Sequence, residues 1–197
     1  MEKALRGYRH FRRKLFHRYR ELFGKLAQGQ TPDTLFIRCS DSRVCLWKLL
    51  GIEPGDGFIL SNPGNIVTPW NSVLGGDQAA IEYAVKVLKV KHIVLLGHSG
   101  CGAMTALLNG PDSVKEELPA LSRMLCACAT DHTLGAKDGQ DPLWALTENH
   151  VRQQLKNLQT YPFVASGQLD VHGWIFKIAE GEVVRYEATT DSFVMLS

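Results

Sequence analysis

The chain has 197 residues, of which 45% are hydrophobic and 21% are charged. These values suit one compact domain with a sizeable core and exclude a long disordered protein. The sequence has no run of about 18 uncharged apolar residues, which a membrane span would need, and its first residues lack the apolar region and cleavage site of a secretory signal, so we expect an intracellular protein.

The net charge of +2 is unevenly distributed along the chain. Residues 1–27 contain nine Lys and Arg and two Glu, a net charge of +7, whereas the rest of the chain carries thirteen basic and eighteen acidic residues, a net charge of −5. A basic segment beside an acidic body is compatible with three kinds of contact: with nucleic acid, with a membrane surface, or with an acidic partner subunit.

The basic segment is predicted to be a helix. Its apolar residues recur every three or four positions, which places them in one stripe along a helix. Gly29 and Pro32 then end the helical pattern, so we assign residues 1–30 to an N-terminal helical arm and residues 31–197 to a single α/β domain. The stripe consists of Leu5, Tyr8, Phe11, Leu15, Phe16, Tyr19, Leu22, Phe23 and Leu26.

The rest of the chain alternates short apolar runs, which are typical of buried strands, with longer segments of helical periodicity. Strands are predicted over residues 34–37, 58–60, 92–96, 168–179 and 182–188. Helical segments are predicted over residues 44–50, 77–90 with Asp77 as N-cap, 103–109, 113–129 and 141–160. This order predicts an α/β fold with a mostly parallel β-sheet flanked by helices, an antiparallel edge at the C-terminus and an N-terminal helical arm.

Five cysteines, an odd number, occur in a chain too large to depend on disulfides, so we consider metal binding and thiolate chemistry instead. Two short segments, Cys39-Ser-Asp-Ser-Arg43 and Gly97-His-Ser-Gly-Cys-Gly102, each follow a predicted strand, at the end where open α/β sheets bind ligands. Cys39, His98 and Cys101 are the sulfur and nitrogen ligands that zinc prefers. Three protein ligands leave a fourth position open, as in a catalytic site.

The same residues have plainer interpretations. An isolated thiol is often a small buried hydrophobe, and an isolated histidine often belongs to a core. The glycines of the second segment are compatible with phosphate binding, but the Lys-Ser/Thr of a P-loop is absent from it. Asp41 and Arg43 would ordinarily form a surface ion pair, whereas beside a metal ligand the arginine would hold the carboxylate ionised and oriented.

Taken together, the two segments resemble the signature of the β-class carbonic anhydrases. Between them lie Asn62-Pro-Gly-Asn65 and Ala80-Ile-Glu-Tyr-Ala84, which resemble further parts of that signature in the same order. The resemblance extends from Gln30 to about residue 188. It implies one zinc ion per chain, bound by Cys39, His98 and Cys101, with Asp41 and Arg43 as the catalytic pair beside it.

The resemblance also implies a substrate and a mechanism. A zinc-bound hydroxide would attack CO₂ to give bicarbonate and a proton, with Asp41 orienting the hydroxide and Arg43 holding Asp41. The substrate pocket, which in this family forms across a dimer interface, would include Gln30 as a hydrogen-bond donor, with Phe58, Tyr83 and Gly102 along its wall.

The implied partner is a second copy of the chain. The family resemblance predicts a homodimer or an assembly of dimers with the arm over the neighbouring subunit, no nucleic-acid or membrane partner, and a place in the cytoplasm, a carboxysome or an organelle. Two alternatives stay open, namely hydrolysis of another small linear molecule such as CS₂ or COS, and a non-catalytic zinc scaffold. The chain departs from the family pattern at Ser61, where an arginine is usual, and at Pro63, where a small aliphatic residue is common.

Overall fold

The computed structural model describes residues 1–70, 72, 75–128 and 139–196, the side chains of residues 127 and 128 excepted. The chain divides into two compact units, Met1–Thr31 and Pro32–Ser197. Among the helices of the described residues, none combines the length and the hydropathy needed to cross a bilayer.

The first unit is helical, as its apolar periodicity predicts. Helix α1 covers Glu2–His10, a π-helical turn covers Phe11–Leu15, and helix α2 covers Phe16–Leu26. The π-helical turn was not predicted; in it the Phe16 amide bonds the Phe11 carbonyl, five residues back. The rings of Phe11, Phe16 and Phe23 contact one another at centroid distances of 5.8–6.2 Å. All residues of α1 and α2 are described and none is buried, so the aromatic stripe retains accessible surface.

The second unit is built on a six-stranded sheet in the order β2-β1-β3-β4-β5-β6. Strands β1 to β4 are parallel neighbours, and β5 and β6 add antiparallel pairs at one edge, so the predicted fold class is confirmed. The strands are β1 Thr34–Cys39, β2 Gly57–Asn62, β3 His92–His98, β4 Asp170–Lys177, β5 Glu182–Glu187 and β6 Ser192–Met195.

Helices and short helical turns connect these strands. They are α3 Leu46–Leu49, α4 Gly76–Lys86, α5 Gly102–Leu108, a 3₁₀ turn at Pro111–Val114, α6 Pro119–Cys128, α7 Pro142–Gln159 and α8 Pro162–Ala165. Strand β3 lies between β1 and β4 and is buried from Ile93 to His98, as the continuous apolar run of a central parallel strand requires. The carboxyl ends of β1 and β3 therefore lie side by side at one edge of the sheet.

The predicted helix over residues 77–90 is shorter in the structure, and its predicted cap is wrong. The helix begins at Gly76 with Gly75 as N-cap and ends at Lys86. The Asp77 carboxylate instead accepts hydrogen bonds from the backbone amide and the hydroxyl of Thr68, both at 2.7 Å. Asp77 thus fastens the loop after β2 to the start of α4, a contact that local sequence signals cannot reveal.

Two other predicted elements differ from the structure. The single helix predicted over residues 113–129 is divided into the 3₁₀ turn and α6, with Pro119 as the first residue of the second helix, and residue 129 lies outside the described residues. Strand β6 was not predicted. It pairs with β5 through a turn in which Asp191 has a φ of 48°, a conformation that Asp adopts more readily than most residues.

Candidate metal centre

The three predicted metal ligands meet at the carboxyl ends of β1 and β3. Cys39 is the last residue of β1 and His98 the last of β3, and these strands are parallel neighbours. Cys101 lies three residues after His98, where the chain turns into α5. The ligand atoms of the three residues all lie within 4.8 Å of one another, and all three side chains are buried. The two sulfur atoms are 3.9 Å apart.

The His98 ring is oriented as a metal ligand would be. Its Nδ1 lies 3.0 Å from the Ser99 carbonyl oxygen, which can only accept, so Nδ1 carries the proton. The other nitrogen, Nε2, is buried and has no hydrogen-bond partner among the described residues. A buried nitrogen lone pair beside two thiols is costly unless a cation occupies the space between them, so this donor set fits a metal ion such as zinc.

The two thiols interact strongly with each other. A hydrogen bond from Cys101 is the main cause that lowers the pKa of Cys39 to about 4, and the same contact, together with burial, raises the pKa of Cys101. Burial disfavours a charged His98 ring, yet the neighbouring Cys39 sulfur and the Ser99 carbonyl raise its pKa overall. Without a metal the pair therefore retains a proton that a bound cation would displace.

Asp41 and Arg43 adjoin the ligands and bind each other by two parallel hydrogen bonds. Arg43 Nε lies 2.9 Å from Asp41 Oδ1, and Arg43 Nη2 lies 2.7 Å from Oδ2. The same Nη2 donates to the Gly100 carbonyl at 3.0 Å, which links the segment after β1 to the segment after β3. Asp41 Oδ2 is 3.8 Å from His98 Nε2. The hydrogen bonds from Arg43 hold the pKa of Asp41 well below its usual range, so the carboxylate is ionised beside the ligands.

The residues predicted to line a substrate pocket are placed differently. Gly102 begins α5 directly after Cys101 and is therefore close to the ligands. Phe58 pairs in register with Leu35, four residues before Cys39, which separates the two levels of the sheet by about 13 Å at the usual rise per strand residue. Tyr83 packs on Phe58 with ring centroids 5.9 Å apart. One chain thus does not bring Phe58 and Tyr83 to its own metal ligands. Gln30 belongs to the other compact unit.

One contact to the ligands was missed by the sequence analysis. The backbone amide of Gly64 donates a hydrogen bond to the Cys39 sulfur at 3.3 Å. Gly64 has a φ of 80°, and the Asn65 amide bonds the Asn62 carbonyl at 3.2 Å, so Pro63 and Gly64 occupy the centre of a type II turn. The Pro-Gly pair is a local signal for the turn. The contact of Gly64 with Cys39, 25 residues earlier, has no local signal because it depends on the pairing of β1 with β2.

Comparison with known proteins agrees with this geometry. A family model described as carbonic anhydrase matches residues 34–183. A carbonic anhydrase of Synechocystis sp. is 39% identical over 203 residues, which cover 98% of this chain and 74% of that protein. A carbonic anhydrase of Pseudomonas aeruginosa is 38% identical over 205 residues, which cover the whole of this chain and 92% of that protein.

Solved structures show the same similarity. The structure of the β-carbonic anhydrase CcaA superposes with a TM-score of 0.92 at 38% identity, covering the whole of this chain and 92% of that one. A second is one of two tetrameric β-carbonic anhydrases from the filamentous ascomycete Sordaria macrospora. It has a TM-score of 0.72 at 31% identity and covers 93% of this chain and 95% of that one.

Proposed function

Because this chain belongs to the β-carbonic anhydrase family, we propose that it catalyses the reversible hydration of CO₂ to bicarbonate and a proton at a zinc ion held by Cys39, His98 and Cys101. The observation that carries the proposal is the convergence of two buried thiols and an unpartnered imidazole nitrogen within 4.8 Å. When bound there, zinc would lower the pKa of a water molecule to near 7 and so supply a nucleophile at neutral pH.

Asp41 and Arg43 have separate roles in this proposal. Asp41 stays ionised because Arg43 binds both of its oxygens, and its Oδ2 lies 3.8 Å from the unpartnered His98 nitrogen. An ionised carboxylate in that position accepts a hydrogen bond from the reacting water and orients it. Arg43 acts through Asp41 as a positioning residue, and its bond to the Gly100 carbonyl keeps the pair aligned with the segment that carries His98 and Cys101.

The substrate pocket is proposed to form between two subunits. Phe58 lies about 13 Å along the sheet from the level of Cys39 in its own chain, and Tyr83 packs on Phe58, so the two rings are suited to face the ligands of a partner. Their rings would supply the apolar wall that a nonpolar linear molecule needs. Gln30 would donate a hydrogen bond to a substrate oxygen, and Gly102 would leave room beside Cys101.

We propose a homodimer, or an assembly of dimers, as the working form. The arm presents a partly exposed stripe that includes Leu5 and Tyr8, 46% and 62% exposed, and its net charge is opposite to that of the remaining chain. A second acidic copy of the chain offers both the apolar cover and the charge that this arm lacks.

The proposal is tested by stopped-flow CO₂ hydration between pH 7 and 9, before chelation of the metal, after chelation, and after zinc is returned. We expect activity that is lost with the metal and restored by zinc, together with about one zinc per chain by elemental analysis.

The matched variants are Cys101→Ser, which should lose metal and activity, and Cys45→Ser, which should retain both because Cys45 lies outside the ligand group. Hydration that is absent, or independent of the metal, would contradict the proposal. Turnover of COS or CS₂ without CO₂ hydration would favour the alternative hydrolase.

A further inference from the structure

The turn that contains Gly64 and contacts Cys39 is held by buried polar side chains of α7. Gly64 is fixed against α5, because a Cβ at this position would lie 3.1 Å from the Cβ of Ala103. Its amide donates to the Cys39 sulfur, and its carbonyl oxygen accepts a hydrogen bond of 2.7 Å from Nε2 of His150. His150 lies on α7, 86 residues along the chain, and is 2% exposed. Both the amide and the carbonyl group of Gly64 are therefore hydrogen-bonded inside the protein.

The neighbours of His150 hold its ring in one state. The Gly64 carbonyl can only accept, so Nε2 carries a proton. On the other side of the ring, Nδ1 lies 3.5 Å from the amide nitrogen of Gln154, which can only donate, so Nδ1 is the acceptor. The Gln154 oxygen in turn accepts from the Val67 amide at 2.8 Å. Gln154 is fully buried. These directions place a proton on Nε2, the nitrogen that faces the Gly64 carbonyl.

We propose that His150 is a positioning residue for the metal centre: by binding the Gly64 carbonyl, it keeps the Gly64 amide on the Cys39 sulfur. The inference rests on the proposed function, because it requires that Cys39 bind the metal as a thiolate. A hydrogen bond from an N–H group to a thiolate draws electron density away from the sulfur, so the metal receives less of it and stays a stronger Lewis acid. The same bond stabilises the thiolate over the thiol and holds the sulfur in place, so losing it would weaken metal binding and also change the electronic character of the metal–sulfur contact.

A matched pair of amide variants tests the role of His150. In His150→Gln the amide nitrogen reaches about as far as Nε2, whereas in His150→Asn the same group is one carbon shorter and cannot reach the Gly64 carbonyl. Zinc affinity is measured by chelator competition, and the thiolate-to-metal charge-transfer absorption is measured after Co²⁺ substitution. We expect His150→Asn to bind zinc about 10- to 100-fold more weakly, with a shifted absorption band, and His150→Gln to stay near the parent values.

Thr147→Val is the control for a merely structural effect. Thr147 is also buried on α7, but its hydroxyl donates to the Leu143 carbonyl of its own helix. It should lose stability without a shift of the Co²⁺ band. Equal affinities and identical bands for the His150→Asn and parent proteins would overturn the inference alone. A parent protein that binds Co²⁺ with no thiolate band would overturn the proposed function as well.

A measurement on the parent protein tests the inference even if His150→Asn does not fold. Nitrogen-15 NMR of the zinc-loaded chain reports which ring nitrogen of His150 carries the proton. We expect the proton on Nε2 throughout pH 6 to 9. A ring protonated on Nδ1 alone, or one that exchanges between the two neutral forms, could not hold the Gly64 carbonyl in place and would contradict the inference.

Discussion

Arg43 joins two segments of the candidate site through one guanidinium group. It binds both oxygens of Asp41, and it donates to the Gly100 carbonyl on the segment between His98 and Cys101. Its own side chain is half exposed, so the ion pair by itself adds little to the stability of the fold. The contribution of Arg43 should therefore appear in activity rather than in folding.

Replacing Arg43 by Lys tests whether the side chain contributes to activity rather than to stability. Lysine keeps the charge but cannot form two parallel bonds, so the Asp41 carboxylate loses its fixed orientation. We expect kcat/KM for CO₂ hydration to fall by about 10- to 100-fold while the zinc content and the thermal midpoint stay near the parent values. Lys48→Arg, an exposed exchange on α3, is the control. Unchanged kcat/KM in Arg43→Lys would show that orientation of Asp41 is not required.

At the same scale, the sequence predicted that the three candidate ligands converge, but it did not predict the contacts around them. Cys39, His98 and Cys101 each follow a recognisable strand, and parallel strands end at one edge of a sheet, so their meeting could be anticipated. The contact of His150 with Gly64 could not be. The periodicity of α7 gives no sign that this face packs against a turn 86 residues earlier. A histidine in a helix has no local signal for its partner.

At the scale of elements, α7 packs on β4 across a glycine. A Cβ added to Gly173 would lie 2.7 Å from Leu155 Cδ1 and 2.9 Å from Val151 Cγ1, both on α7. We expect Gly173→Ala to lower the free energy of unfolding by about 1–3 kcal/mol, because the helix must move outward or its side chains must leave their rotamers. Urea denaturation followed by circular dichroism gives the value.

Two further variants show whether the cost of Gly173→Ala comes from steric crowding or from the general effect of replacing glycine by alanine. Gly76→Ala has no atom within 4 Å of the added Cβ and should change stability by less than about 0.5 kcal/mol. A Leu155→Ala background removes the closer of the two contacts and leaves that with Val151, so the cost of Gly173→Ala should decrease. A cost that is the same in both backgrounds would show that Leu155 does not limit this position.

An ion pair between Asp191, in the turn between β5 and β6, and Arg152 of α7 links the edge of the sheet to that helix. Arg152 Nε donates to Asp191 Oδ1 at 2.8 Å, and the Tyr186 hydroxyl donates to the same oxygen at 3.0 Å. These bonds, first that from Arg152, lower the pKa of Asp191. Since the unfolded chain takes up the proton first, near pH 3.9, this stabilisation is complete above about pH 5 and is lost as the pH falls through the folded-state pKa.

Asp191→Asn should therefore change the acid dependence of stability. Asn tolerates the positive φ of 48° but cannot be ionised, so the variant removes the charge and leaves the turn intact. We expect it to be less stable than the parent at pH 7 by no more than about 1 kcal/mol, because Asp191 is largely exposed, and expect the difference to shrink as the pH falls below the ordinary carboxyl range of about 4. Metal loss in acid affects both proteins alike. A difference that stays constant as the acid is increased would show that charge is not its cause.

The elements also show why some predictions failed. Asp77 has the residue type of an N-cap and stands at the start of the apolar pattern, but its carboxylate binds Thr68 and the helix begins one residue earlier, at Gly76. Strand β6 is four residues long, too short for an alternating pattern to be recognised, and it exists because β5 offers an antiparallel partner. In both cases a contact between distant segments, rather than local propensity, determines the outcome.

At the scale of the whole molecule, the arm is the feature that one chain leaves unexplained. Its helical periodicity, its aromatic stripe and its charge are readable from the sequence, because each is a property of consecutive residues. The surface that covers the stripe is not readable, because it belongs to another molecule in our proposal. The stripe and the basic face predict different responses to salt, which makes them separable by experiment.

Replacing Phe11, Phe16 and Phe23 together by Ser tests whether the stripe joins the subunits of the proposed dimer. The three rings contact one another and are partly exposed, so the triple variant removes apolar surface without creating a cavity in the α/β unit. We expect a monomer by analytical ultracentrifugation at micromolar concentration, and expect the parent dimer to persist in 1 M salt, where the screening length falls to about 3 Å. The double variant Arg13→Gln and Arg20→Gln, on exposed positions of the same arm, should remain dimeric. A dimeric triple variant, or a parent that dissociates in 1 M salt, would mean that the aromatic stripe is not what joins the subunits.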